Sequence, residues 1–400
     1  LRIPFPPYDG ATIAMFNLAE SLSAAGATVT MLSFNTKKHF IDLSKIDETF
    51  STKYKLKTVY VDASVKPFEA FLNLFKKNES YNIARFETLE FHQALRQLLS
   101  ENTYDVIQLE GMFLSPYLET IRSYSKAKIV LRAHNVEWLI WQRMGNASTN
   151  FFRKKYLLFL AQRLRRYEQH KFNAFDAVLA LTKEDQELLI KEGCKVPVFI
   201  APVGVNTVTF DNAKEIKSAN KLTAFHLGSM DWLPNSEGVN WFLAQVWPMV
   251  IQKTDAIILH LAGKKMAESY FKLKVKNLKV EGEIRDAKKF MSDKEIMIVP
   301  LLSGGGMRVK IIEGLAAGKV IISTAIGAEG IEAAHGKNIL IANTPEEFAD
   351  VLLSLIDQTD RLNLIAKEAQ TLARHKYDMD VIGKMVYSFY STIISGNGNR

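Results

Sequence analysis

Three glycines, two cations and a carboxylate stand close together in Gly304-Gly305-Gly306-Met307-Arg308-Val309-Lys310-Ile311-Ile312-Glu313. An apolar run over 296–302 leads in, about a dozen residues after the glycines read as a helix, and a second apolar run covers 320–323. The pattern is strand, glycine-rich loop, helix, strand. Glycine lets a backbone approach a ligand with no Cβ in the way. A helix that follows such a loop aims unpaired N–H groups at whatever sits there, which suits an anion. Arg308 and Lys310 fall in the expected first turn, where the helix dipole disfavours cations. Cations placed against the dipole point to an anion between them. Met307, Lys310 and Glu313 lie three apart and are expected on one helix stripe. Glu313 then offers an acceptor for two sugar hydroxyls, about one turn beyond the phosphate end. This is the chemistry of a phosphorylated sugar or nucleotide. P-loop spacing does not occur, and Val309 stands where a dinucleotide fingerprint needs its third glycine. The plainer alternative is a tight strand-to-helix turn with Glu313 as a solvated helix residue.

The segment resembles the nucleotide-sugar site of the family 4 retaining glycosyltransferases, which have the two-domain GT-B fold. Their pattern is a glutamate, seven residues and a second glutamate, followed by Ala-x-Ala-x-Gly-x-Pro-Val-Ile. Glu313 matches the second glutamate, which the resemblance assigns to the donor ribose. The first would fall at Gly305, and Lys319-Val320 replaces x-Pro-Val. The chain is similar instead to a subgroup whose loop reads Gly-Gly-Gly-x-Arg-x-Lys. The resemblance implies that Gly304, Gly305, Gly306 and Met307 line the donor site and that Arg308 and Lys310 stabilise the leaving diphosphate.

Other segments extend the resemblance. His134-Asn135 falls just past an expected strand, where open parallel sheets bind ligands. His134 resembles the family's histidine near the anomeric carbon, and is counted with Arg308 and Lys310 as catalytic. On the residues alone it is equally a loop histidine with satisfied hydrogen bonds. Glu137 reads as a polar partner or an early helix residue. Tyr8-Asp9-Gly10-Ala11-Thr12 stands where the family has a loop between its first strand and first helix. Asp9 reads first as a helix cap, and Gly10 would let donor phosphate or acceptor come close. Gly228, in Phe225-His-Leu-Gly-Ser-Met-Asp-Trp232, looks like the loop after the first strand of the C-terminal domain. No Lys or Arg occurs between Phe225 and Trp247, so Arg308 and Lys310 are the substitutes for the cations many relatives carry there. Glu283 and Ile284 match the turn that lies against the nucleobase and reads it largely by backbone.

The implied architecture is α/β: two Rossmann-like domains facing across a cleft. The implied reaction moves a sugar from a nucleotide-sugar donor to a glycan or lipid-linked acceptor with retention, in cell-surface polysaccharide synthesis. No metal and no cofactor beyond the nucleotide-sugar co-substrate are expected, and no nucleic-acid module is recognised. The alternatives are a non-catalytic nucleotide-sugar or membrane-surface binding protein, and a nucleotide-sugar epimerase.

Four hundred residues suit two domains. An apolar share of 48% with 24% charged residues is ordinary globular composition. A single cysteine, Cys194, excludes an internal disulfide and a cysteine-based zinc cluster. The expected compartment is cytoplasmic, with a peripheral place at the inner membrane face as a further candidate. A net charge of +8 favours anionic partners. The expected domains are 1–203 on the acceptor side, 204–376 for the nucleotide-sugar, and a C-terminal helix over 377–400 packing back on the first domain. Residues 203–221 are expected as a polar linker.

Alternating strand and helix patterns imply parallel sheets. Expected strands are 28–34, 56–61, 105–109, 128–132, 177–181 and 198–201, then 222–227, 257–262, 278–281, 295–300, 320–323 and 339–341. The chain opens on a proline-rich loop followed by a helix over 12–25, and the family has a strand ahead of that loop, so most of a first strand is expected to be missing. Phe151 to Lys171 carries seven basic residues and one acid, with Phe152, Tyr156, Phe159, Leu160, Leu164 and Tyr167 at helical spacing. Such a stripe usually faces the core. A basic amphipathic helix with aromatics also suits an anionic membrane surface.

Overall fold

The computed structural model describes residues 2–7, 9–76, 79–210, 215–217 and 221–396. The chain divides into two compact units, Leu1–Val203 with Ile382–Arg400, and Gly204–Val381. All named strand pairs are parallel.

In the first unit the strands are β1 (Leu32–Thr36), β2 (Lys57–Val61), β3 (Val106–Glu110), β4 (Lys128–Ala133), β5 (Ala177–Ala180) and β6 (Val198–Ile200). They form two sheets, β1-β2 and β3-β4-β5-β6. Strand side chains alternate between faces. Ile129, Leu131, Val178 and Ala180 meet the helix Leu89–Glu101 and Phe34 on one face. Val130, Ala177 and Leu179 meet Leu18 and Leu22 of the helix Gly10–Ala24 and Ile382, Val386 and Tyr390 of the helix Met379–Ser395 on the other.

The expected strand over 28–34 starts late. Pairing in β1 begins at Leu32, and Thr28–Met31 run beside a groove of about 630 Å³. Its lining includes Thr28, Met31 and Ser33, Val106 and Gln108, and Leu18 and Leu22. Among the described residues no strand covers the facing edges of β1 and β3. Only Arg2 makes an isolated parallel bridge, to Phe34.

The second unit holds β7 (Leu222–Leu227), β8 (Ile257–Ala262), β9 (Leu278–Gly282), β10 (Ile296–Val299), β11 (Val320–Ser323) and β12 (Leu340–Ile341) in the order β12-β11-β10-β7-β8-β9. Its inner strands are continuous apolar runs because both faces are covered. Leu259, Leu261, Ile298 and Ile322 join Phe242, Val246 and Phe348 in one core. Met297, Val299 and Ile321 are fully buried on the opposite face. The order reverses between β7 and β10. β8 and β9 are added on one side of β7, and β10 to β12 on the other. Open parallel sheets bind ligands beyond the carboxyl ends of strands at such a reversal.

The expected linker lies partly outside the described residues. From Gly204 onward its described parts belong to the second unit. Val205 pairs with Asp378, Thr207 donates to the Asp378 carboxylate at 2.5 Å, and Ile216 exchanges two hydrogen bonds with the Asn363 side chain. Apolar Val205, Phe210 and Ile216 are buried, which is why a polar average misleads there.

Candidate functional site

The loops after β7 and β10 meet at the reversal point. Pro300 and Leu301 leave β10 buried, and the glycines follow. Gly304 and Gly306 have φ of +120° and +80°, a region that favours glycine. The helix is shorter than expected. It covers Val309–Ala316, with Arg308 as the residue before its first turn. Met307 therefore lies outside the helix and does not share a helical stripe with Lys310 and Glu313. Arg308 folds back on its own loop. Its guanidinium donates to the carbonyls of Gly305 and Gly306, the latter at 2.8 Å, and stacks 5.2 Å over the Trp232 ring.

Lys310 points the other way, to the β7 loop. Its Nζ donates to Asn235 Oδ1 at 2.7 Å and to the Leu227 carbonyl at 3.3 Å. Burial, helped by the Arg308 charge, pulls its ammonium down to about 7. A Cβ on Gly228 would lie 2.9 Å from that Nζ and 2.6 Å from Asn235 Nδ2, so only glycine permits this approach. Asn235 is held in turn by donating to the Ser229 carbonyl at 2.9 Å. Beneath the loop, His226 is buried and its Nδ1 lies 2.9 Å from the Ile298 carbonyl. Burial, then the Lys310 charge, pushes its imidazole down to about 3, so it is neutral. The Gly228 amide donates to Ala262 at 3.1 Å, and the Gly263 amide to Gly282 at 2.8 Å. This backbone lacing links the loops after β7, β8 and β9. Glu283 and Ile284 follow directly on the β9 edge.

Glu313 sits one turn along the helix. Burial raises its carboxyl to about 7 against a lowering by the Lys288 charge. Its carboxylate has no hydrogen-bond partner among the described residues. It is thus half-protonated near neutral pH and has spare acceptor capacity, unlike the solvated helix residue of the plainer reading. Lys319 is buried and donates to the Lys294 carbonyl at 2.8 Å, tying its turn to the segment before β10.

In the first unit, His134 follows β4 and meets a partner that sequence reasoning missed. Glu110, the last residue of β3, places Oε2 2.5 Å from His134 Nε2. Burial pushes the Glu110 carboxyl up, but the Arg132 charge and the His134 hydrogen bond outweigh it and hold it at about 2. Arg132 is fully buried, 3.5 Å from Glu110 Oε1, and donates to the Ala14 carbonyl at 2.9 Å. The register pairs Glu110 with Arg132 across β3 and β4, so both carboxyl-end residues are fixed by the sheet. The available signal was a Glu closing one strand and a His following the next.

Glu137 does not pair with His134. It begins the helix Glu137–Ala147, and burial raises its carboxyl to about 7. Gly10 is not in a free loop. It is the first residue of its helix, and Asp9 caps that helix by accepting from Thr12 N at 3.1 Å. Tyr8 lies outside the described residues.

The structure thus brings Gly228, Gly304, Gly305, Gly306, Arg308 and Lys310 together, adds Asn235, Trp232 and His226, and keeps Glu313 one turn away. His134 and Gly10 belong to the other unit. Among the described residues no cluster of three or more His, Cys, Asp or Glu side chains is placed to hold a metal ion.

Residues 221–358 match the family described as Glycosyl transferases group 1, and residues 8–209 match Glycosyltransferase Family 4. A relative in Klebsiella pneumoniae, an uncharacterized 44.6 kDa protein of the cps region, is 24% identical over 96% of each chain. The fold is shared with the sucrose-phosphate synthase of Thermosynechococcus elongatus, at 15% identity and a TM-score of 0.69 over 97% of this chain and 94% of that one. A glycosyltransferase of Rickettsia africae aligns with a TM-score of 0.65 at 17% identity over 97% and 96% of the two chains. The Anabaena protein HepE, solved with UDP, aligns at 0.63 and 15% identity over 96% of each. With one family matched across half its length and a second across most of the remainder, the chain belongs to glycosyltransferase family 4 and is a GT-B glycosyltransferase.

Proposed function

We propose that this enzyme transfers a sugar from a nucleotide-sugar to a glycan or lipid-linked acceptor with retention, and that its donor diphosphate sits on the second unit. The observation that carries the reading is Lys310, a half-buried lysine whose Nζ is held between two loops at the sheet reversal, with only neutral oxygens as acceptors among the described residues. A diphosphate there would supply the missing negative charge. Gly304–Gly306 amides and Arg308 would complete the cradle once the guanidinium turns from its loop carbonyls to phosphate oxygens. Glu313 would accept from the ribose hydroxyls, and the Glu283–Ile284 turn would meet the base. A structural relative solved with UDP-glucose adds support for a donor of this class. The cps-region relative supports a role in cell-surface polysaccharide synthesis.

In the proposed reaction the bond from the anomeric carbon to the diphosphate oxygen breaks. The acceptor oxygen bonds to the same face of that carbon, and its proton passes to the departing phosphate oxygen. Preorganised cations at the leaving group supply the main catalytic term, so neither a metal nor a protein base is assigned to this step. His134, oriented by Glu110, is assigned to the sugar. A cytoplasmic location belongs to the same reading. Family membership favours this reading over a binding protein or an epimerase.

The test is a thermal-shift and calorimetric screen of nucleoside diphosphates, followed by turnover of labelled nucleotide-sugars. Arg308→Ala and Lys310→Ala are each expected to remove about 1.5–3 kcal/mol of diphosphate binding. Wild-type affinity and turnover in the double variant would overturn the assignment.

A further inference from the structure

We propose that the outward face of the helix Phe151–Lys171, together with the neighbouring segment 65–76, is a docking surface for an anionic lipid bilayer. The helix was expected to turn its aromatic stripe to the core. It does so only towards its C-terminal end, where Leu164 and Tyr167 are buried together with Leu157, Ala161 and Glu168. Phe152, Tyr156 and Phe159 lie on another stripe, spaced by four and three residues, and all are exposed, Phe152 at 82%.

Arg163 continues that stripe and reaches across to a second element. It donates to the carbonyls of Asn73 at 2.7 Å, Leu74 at 2.9 Å, Lys76 at 2.9 Å and Glu79 at 2.7 Å. One guanidinium thereby clamps the end of the helix Pro67–Asn73 beside the long helix. That short helix and the turn after it also present apolar residues outward. Phe68 and Phe75 are 73% and 74% exposed, and Phe71 and Leu72 are exposed beside them. Isolated exposed apolar residues are ordinary, but two aromatic stripes fixed side by side are not.

Charge selects the occupant. Residues 151–163 carry four cations, Arg153, Lys154, Lys155 and Arg163, and no acid. On the second element Lys66 and Lys76 are balanced by Glu69 and Glu79 at 3.0 and 3.1 Å, so the long helix supplies the net charge. A second copy of the chain in a two-fold dimer would set this cationic face against itself. Aromatic side chains ringed by cations match the interface of an anionic bilayer, where the rings sit at headgroup level and the cations meet lipid phosphates. No described helix is long and apolar enough to cross a membrane, so the contact is on the surface. A lipid-linked acceptor would be presented to a protein held in this way.

The test is flotation of the full chain with mixed phosphatidylcholine–phosphatidylglycerol vesicles and with pure phosphatidylcholine vesicles at low salt. Two triple variants are compared, Arg153→Gln/Lys154→Gln/Lys155→Gln and Phe68→Ser/Phe75→Ser/Phe152→Ser. All substituted side chains are surface groups, and circular-dichroism melting checks the fold. Wild type is expected to float with the mixed vesicles and not with the neutral ones, and each variant to lose at least about tenfold in partitioning. No binding to mixed vesicles overturns the proposal. So does an aromatic variant that binds like wild type, since attraction would then come from net charge alone. A concentration-dependent dimer in sedimentation, abolished by the aromatic variant, would assign the surface to a second copy instead.

Discussion

Binding of a nucleoside diphosphate should be accompanied by proton uptake at Lys310. In the free protein this ammonium is buried and pulled down to about 7, against an ordinary value near 10.4. The sign follows from burial, which penalises the charged form in the folded state. Between about pH 7 and 10 the unfolded chain holds this proton and the folded chain does not, so the residue's penalty on stability, fully present below pH 7, is relieved as pH rises. A diphosphate placed beside Nζ reverses the penalty. At about pH 8 a group with a value of about 7 is roughly one-tenth protonated, and restoring its ordinary value takes up about 0.9 proton per bound nucleotide. Affinity should then fall nearly tenfold per pH unit above neutrality. Two other groups titrate nearby and have to be separated. Nucleotide phosphate has its own ionisation near 6. Glu313, raised to about 7 by burial, would release a proton on taking ribose hydroxyls as a carboxylate. Both are ionised by about pH 8, leaving Lys310 as the group that responds. Calorimetry at that pH in buffers of different ionisation enthalpy gives the proton count directly. Lys310→Met, which keeps the volume and removes the amine, should abolish the uptake. Zero uptake in wild type, or equal uptake in wild type and Lys310→Met, would refute the placement of the diphosphate against this side chain.

Glu110→Gln should lower turnover while leaving nucleoside diphosphate affinity unchanged, because it releases His134 without touching the second unit; equal loss in both would contradict the assignment. The same carboxylate, held at about 2, contributes stability that is present above about pH 4.5 and lost as pH falls towards 2, so the variant's acid-unfolding curve should converge on wild type below that range. Glu313→Gln should narrow the preference for a ribonucleotide over its 2′-deoxy form, read as the ratio of two dissociation constants; an unchanged ratio would remove Glu313 from the ribose.

Three strands of the second unit, at 222–227, 257–262 and 320–323, have the bounds their sequence implies. Each is a mostly apolar run in a sheet covered on both faces, so burial writes the signal. Local chemistry was equally readable where one residue acts on its own neighbours, as at Asp9, which caps its helix by accepting from Thr12 N. The helix Phe151–Lys171 shows the limit of periodicity. Two stripes fit its spacing, and only the packed structure decides that Leu157 and Leu164 go inward and Phe152 and Tyr156 do not. The candidate site shows a deeper limit. The triple glycine marks where a backbone could approach a ligand, but not what approaches from the other side. That partner is fixed by β7 lying beside β10, an adjacency created only after β8 and β9 have been laid down on the far edge. Asn235 therefore meets Lys310 across 75 positions, and Glu110 meets His134 across 24, through sheet order and not through spacing. A cation buried at such a junction is costly unless something charged completes it. That cost, created by the sheet and invisible along the chain, is what makes the junction a site.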